Sequence, residues 1–204
     1  NPYRDLQDDG RTRNWDNERR VSEQYADGVV AEITFPNTVP PFYPTGALLA
    51  RSPKNSEEFA RRKAGLQCHN RWLSDWCSEY PDQRRGLPQI FLEDLDDAIK
   101  TLTWAANEGF KSFLMPHVAP DVDLPGLWSP EWDRLWAAVQ DLDLVVTQHG
   151  GNGTPDYGKD PASGVIFLME VPFFAHRNLA HLTMSGVFER FPNLKYVMTE
   201  QGVA

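Results

Sequence analysis

The sequence has no basic excess, no long apolar run and almost no cysteine, and each shortage removes a class of protein. Its 20 lysines and arginines face 29 aspartates and glutamates, a net charge of -9 at neutral pH. No basic stripe is available to neutralise phosphates, so neither nucleic acid nor an anionic membrane is expected as a partner. No stretch approaches the roughly 20 apolar residues that span a bilayer. No secretory leader is visible. The two cysteines, Cys68 and Cys77, fall within one predicted helix, where a rise of about 1.5 Å per residue holds them roughly 13 Å apart. That is too far for a disulfide, and reduced thiols point to the cytoplasm. Low-complexity tracts and internal repeats are missing as well.

What is present is enough for one core. The 204 residues are 41% hydrophobic, which suits a single soluble domain. Residues 1–15 are polar and turn-rich and read as loop. A short helix over 17–26 leads through Asp27-Gly28 into a β-branched run, Val29 to Phe35, ended by Pro36. After a proline-rich stretch to Pro53, Ser56 is expected to cap a long helix reaching about Tyr80. Residues 86–92 read as a strand, 94–107 as a helix ended by Gly109, and 110–115 as a strand stopped by Pro116. Ser129-Pro130-Glu131 opens a helix to about Leu142. Residues 144–149 form the next strand, a glycine-rich loop runs over 150–158, and helical sequence fills 162–190 with a break near Ser185-Gly186. Residues 193–200 make the last strand. Alternation of this kind means parallel strands with right-handed crossovers. A doubly wound sheet and a barrel both satisfy it.

Both architectures place chemistry just past the C-terminal ends of the strands. Three strands end in polar groups there: His117 after Pro116, His149 after Gln148, and Glu200 after Thr199. Alternation puts Val145, Thr147 and His149 on one face of their strand, and Tyr196, Met198 and Glu200 on one face of theirs. An imidazole at such a mouth can bind a divalent metal, or serve as a hydrogen-bonded structural residue. Glu200 can likewise be a solvated strand-end carboxylate. His69, His176 and His181 lie on predicted helices among aromatic neighbours and read as packing or surface residues. The loop His149-Gly150-Gly151-Asn152-Gly153 matches neither a dinucleotide fingerprint nor a P-loop. Its glycines are expected to let backbone approach a substrate.

The stretch from Ser185 to Val197, containing Gly186-Val187-Phe188-Glu189-Arg190-Phe191-Pro192, resembles the segment before strand six in the amidohydrolase 2 group. These are the metal-dependent hydrolases related to aminocarboxymuconate semialdehyde decarboxylase. Phe35-Pro36-Asn37, His69-Asn70-Arg71-Trp72-Leu73 and Gln148-His149-Gly150-Gly151 are similar to other stations of that pattern. The resemblance implies an α/β fold: a partial (β/α)₈ TIM barrel made of parallel strands two to six of eight. It also implies one domain over residues 1–204, an inner fragment without either end of the barrel.

That family holds one divalent metal, usually zinc, through a His-x-His pair on strand one, a histidine after strand five and an aspartate after strand eight. The strand-five histidine corresponds to His149, and the other ligands have no counterpart in this sequence. Decarboxylase relatives carry a histidine after strand six, where this chain has Glu200. The expectation is therefore a hydrolase acting on a small organic substrate through metal-activated water, with His149 as metal ligand and Glu200 as catalytic acid or base. Phe35, Asn37, Phe91, His117, Gly150 and Gly151 are the expected substrate-binding residues. A carboxy-lyase using the same metal, and a non-catalytic barrel remnant, are the alternatives. A homodimer is the one assembly left open.

Overall fold

The computed structural model describes residues 16–36, 53–120, 122–150 and 153–200. In chain order these form α1 (Asn17–Ala26), β1 (Glu32–Thr34), α2 (Ser56–Ser78), β2 (Arg84–Gly86), α3 (Leu95–Asn107) and β3 (Ser112–Leu114). A single 3₁₀ turn (Pro130–Trp132) leads into α4 (Asp133–Asp141), then β4 (Val145–His149), α5 (Ser163–Met184), α6 (Val187–Arg190) and β5 (Lys195–Thr199). Among the described residues, no helix is long and apolar enough to cross a membrane.

Every strand pairing is parallel and follows sequence order. β1 pairs with β2, and β3, β4 and β5 form a continuous ladder. A single parallel bridge between Gln89 and Leu114 joins the two groups, with Leu114 N–H donating to the Pro88 carbonyl at 2.9 Å. Among the described residues strand order never reverses, which excludes a doubly wound sheet. The chain is an arc of a (β/α)₈ barrel.

Strand lengths are shorter than the β-branched runs suggest. The run from Val29 to Phe35 yields only Glu32–Thr34 as strand, and Val30 and Ile33 stay 73% and 59% exposed. Among the described residues β1 pairs with β2 alone, so one ladder holds it. The strand expected over 86–92 starts earlier, at Arg84, and Pro88, which lacks an N–H, reduces the remainder to the Gln89 bridge. Arg84 itself is buried, its guanidinium 3.8 Å from the Trp76 ring and 3.6 Å from the Glu32 carboxylate.

Helix starts follow side-chain caps. Asn55, not Ser56, caps α2 by accepting from the Glu58 N–H at 2.9 Å, and Asp94 caps α3 through the Asp97 N–H at 3.0 Å. The expected break after α5 is present at Gly186, whose φ of 70° turns the chain into α6.

The register defines two sides of the sheet. Phe113, Val146 and Tyr196 are opposite one another, and so are Leu114, Thr147 and Val197. The first row meets the helices: Phe113 and Val146 are fully buried with Leu102, Trp136, Val139, Leu182 and Val187, and Tyr196 packs against this cluster. The second row faces the barrel axis. Replacing Phe113 with alanine removes the centre of the sheet–helix layer and is expected to cost about 3–5 kcal/mol. Urea unfolding of the variant checks this; a loss below about 1 kcal/mol would contradict a close-packed layer.

Candidate active site

His149 lies at the C-terminal end of β4 on the axis-facing side, in register with Thr199 of β5. The Gly150 N–H donates to the Thr199 carbonyl at 2.9 Å, and the Thr199 hydroxyl donates to the Gln148 carbonyl at 3.0 Å, so the two strand ends are tied together. The His149 ring is aimed by its own neighbours. Nδ1–H donates to the Gly150 carbonyl at 2.7 Å, and Nε2 points into the mouth. The Phe35 ring, from the loop after β1, packs against it at 5.0 Å between centroids.

Glu200 reaches this ring by an unexpected route. Tyr196 and Met198 are on the helix side of β5, so alternation alone would carry Glu200 away from the axis. The face inferred from the sequence is therefore the helix face, and that inference is corrected. Glu200 adopts φ 51°, a left-handed conformation rare for a side-chain-bearing residue. The turn ends the alternation and swings the carboxylate back, placing Oε2 2.6 Å from His149 Nε2.

His117 serves a different purpose from the one its position suggests. Its Nε2–H donates to the His149 carbonyl at 2.6 Å, and its Nδ1 accepts from the Asn178 amide of α5 at 2.9 Å. Both ring nitrogens are thus engaged within the chain, and none is left for a substrate. Gly153, at φ 83°, closes over the ring; a Cβ there would lie 2.7 Å from His117 Cβ. That glycine serves backbone approach to a histidine, where the sequence suggested approach to a substrate. Burial pushes the His117 pKa down to about 4.

The pH dependence follows with a definite sign. The unfolded chain binds a proton at His117 near pH 6.5, and the folded chain only near 4. The full contribution is present above pH 6.5 and is lost as pH falls to about 4, a change of about 3 kcal/mol. Denaturant titrations at pH 7.5 and 4.5 should show this loss in the native chain and a smaller one in His117→Gln. Equal losses in both would mean that His117 is not the group responsible.

The other expected binding residues divide. Gly150 is at the site and Phe35 lines it. Phe91 is buried at 4% exposure with its ring 5.6 Å from Phe59, packed under α2 and not beside His149. Asn37 and Gly151 lie outside the described residues. Asn178 was missed altogether: an asparagine within a helical apolar run is a visible anomaly, but its partner at His117 is set only by the packing of α5.

An imidazole nitrogen and a carboxylate oxygen at one mouth are donors suited to a divalent cation. The His149 Nδ1–H bond to a backbone carbonyl is the arrangement that presents Nε2 to a metal. Glu200 contacts the same nitrogen, so carboxylate and cation compete for it. Among the described residues, no cluster of three or more His, Cys, Asp or Glu is placed to hold a metal. The residues present fit part of a metal site.

The amidohydrolase family model matches residues 9–204. The chain belongs to the amidohydrolase family, a family of metal-dependent enzymes. Among solved structures it is similar to an amidohydrolase from Mycobacterium avium subsp. paratuberculosis, with a TM-score of 0.70 and 21% identity over 91% of this chain and 48% of that one. It is similar to 2,6-dihydroxybenzoate decarboxylase from Rhizobium, with a TM-score of 0.63 and 22% identity over 88% of this chain and 54% of that one. A third is 5-carboxyvanillate decarboxylase from Novosphingobium aromaticivorans, a structure with bound manganese, at TM-score 0.68 and 20% identity over 88% of this chain and 48% of that one. At these identities the likeness is one of fold, and the chain spans about half the length of each structure.

Proposed function

We propose that this chain supplies one metal ligand, His149, and one proton-moving carboxylate, Glu200, to a metal-dependent hydrolase of small organic substrates. The observation that supports this is the 2.6 Å contact between His149 Nε2 and Glu200 Oε2, at the C-terminal mouth where barrel enzymes keep their chemistry. A divalent cation such as zinc would supply Lewis acidity there, for the substrate carbonyl and for water activation. His149 would hold such a cation through Nε2, in exchange for its Glu200 contact, while Nδ1–H stays on the Gly150 carbonyl. Glu200 takes a proton at its carboxylate and returns it to the leaving group. Phe35 and Gly150 border the substrate, and Phe35 packs against the imidazole. His117 and Asn178 orient the end of β4 without touching the substrate. The compartment we propose is the cytoplasm.

A carboxy-lyase using the same cation is the second reading. Hydrolysis is favoured because Glu200 stands where decarboxylase relatives carry a histidine. The full-length protein, reconstituted with zinc or manganese, should hydrolyse members of a lactone, amide and ester panel without releasing CO₂ from aromatic acids. CO₂ release without hydrolysis would establish the lyase. Full-length protein that takes up no metal would establish a non-catalytic barrel.

Residues 1–204 alone are expected to bind zinc well below one equivalent, because a catalytic zinc site normally takes three protein ligands. Elemental analysis after gel filtration checks this. Stoichiometric zinc would mean that the ligands are other than those proposed.

A further inference from the structure

At the N-terminal ends of β1 and β2 one carboxylate serves two guanidinium groups. Arg20 holds both oxygens of Glu32, through Nε at 2.9 Å and Nη2 at 2.5 Å. Arg84 Nε stands 3.6 Å from the same carboxylate, beyond hydrogen-bond reach. The Arg84 Nη1–H donates to the Trp76 carbonyl at 3.1 Å, while among the described residues Nε and Nη2 have no hydrogen-bond partner. The residue is nevertheless 1% exposed. Its guanidinium lies 3.8 Å from the Trp76 ring and 4.9 Å from the Tyr80 ring, which offsets part of the cost of burial. A buried cation with two unbonded donor nitrogens still calls for a further partner.

That partner has a place to bind. Arg84 lines a cleft of about 390 Å³ together with Cys77, Ser78, Arg85, Glu108 and Lys111. The cleft lies between the α2–β2 and α3–β3 turns, at the opposite end of the strands from His149. Three cations line it against one carboxylate, and Glu108 already accepts from the Ser74 hydroxyl at 2.9 Å. The Arg85 guanidinium donates to the Pro81 and Arg84 carbonyls, which carry no charge to cancel its own. Asp143, the carboxylate that feels the Lys111 charge, is bonded to Lys195 at 2.5 Å.

The cleft is therefore cationic in a chain whose net charge is -9. A guanidinium fork matches paired oxygens on a phosphate or a carboxylate. The volume falls in the range of roughly 300–1,000 Å³ that small-molecule sites occupy. We propose that this cleft at the N-terminal face of the barrel arc binds a small oxyanion, a phosphate or carboxylate group, through Arg84, Arg85 and Lys111. The site is separate from the chemistry at His149 and does not depend on it.

The two cysteines of α2 provide the test in the full-length protein, since Cys77 lines the cleft and Cys68 is exposed away from it. Iodoacetamide labelling, read by peptide mass spectrometry, is compared in inorganic phosphate, acetate and chloride at equal ionic strength. Relative to chloride, phosphate or acetate is expected to slow labelling of Cys77 about threefold at twice its Kd, with Cys68 unchanged. Protection by phosphate alone assigns a phosphate ligand, and protection by acetate alone assigns a carboxylate. Arg85→Gln with Lys111→Met, both at exposed positions, should fold normally and weaken the protecting anion roughly tenfold. Thermal melts in the same salts carry the test independently of the thiol: the protecting anion should raise the native Tm above its value in chloride, and that of the double variant less. Neither anion exceeding chloride in protection or in Tm would overturn the proposal. So would equal effects in the native protein and the double variant.

Discussion

Glu200→Gln in the full-length enzyme is expected to lower turnover by on the order of 10²–10⁴ while leaving metal content unchanged. Glutamine keeps the size of the side chain and most of its hydrogen bonding, but it cannot accept and return a proton. The backbone at Glu200 is already committed, with φ at 51° directing the side chain toward His149. The loss should therefore appear in kcat more than in KM. A side chain that is merely solvated predicts little change, and at 77% side-chain exposure that alternative is a real one. Full activity in the glutamine variant would remove Glu200 from the chemistry and leave it as a strand-end carboxylate.

His149→Ala should behave differently: metal and turnover are lost together. Removing Nε2 deletes a protein ligand, and a catalytic site short of a ligand holds its cation poorly. With the cation go several kcal/mol of transition-state charge stabilisation, on the order of 10³ or more in turnover. Elemental analysis beside the kinetic assay separates the two variants. Stoichiometric metal in His149→Ala would show that His149 only shapes the mouth. Asn178→Ala acts one step further out, because it releases His117, which holds the His149 carbonyl.

Much of the architecture was legible before any coordinates. The alternation of strands and helices, the cap at Ser129 and the break at Gly186 are local features, written in residues that lie close together in the chain. The side of His149 was legible for the same reason, since a strand's side-chain period is two and β4 is regular to its end. That rule failed one residue past the regular part of β5, where the left-handed turn at Glu200 ends the alternation. It produced the right neighbour from the wrong face.

Phe91 shows a second kind of failure. A phenylalanine near a strand end reads as a pocket wall or as core with equal ease, and Phe59 of α2, more than thirty residues earlier, decides for core. Arg84 is the reverse case: a charged residue outside the expected strand is buried in one because Trp76 and Glu32 surround it. His117 had no local sign of its role, since its two partners are His149 and Asn178, from two other elements.

By itself the sequence determined the class of the fold, the order of its elements and the position of His149 at a strand mouth, because periodicity, capping and turn chemistry act over a few residues. The tertiary structure decided which polar groups meet: Glu200 with His149, Asn178 with His117, and Phe35 across the mouth from β4. Hydrogen bonds and ring contacts form where packing brings distant segments within about 3–5 Å, and that proximity is a property of the assembled barrel arc.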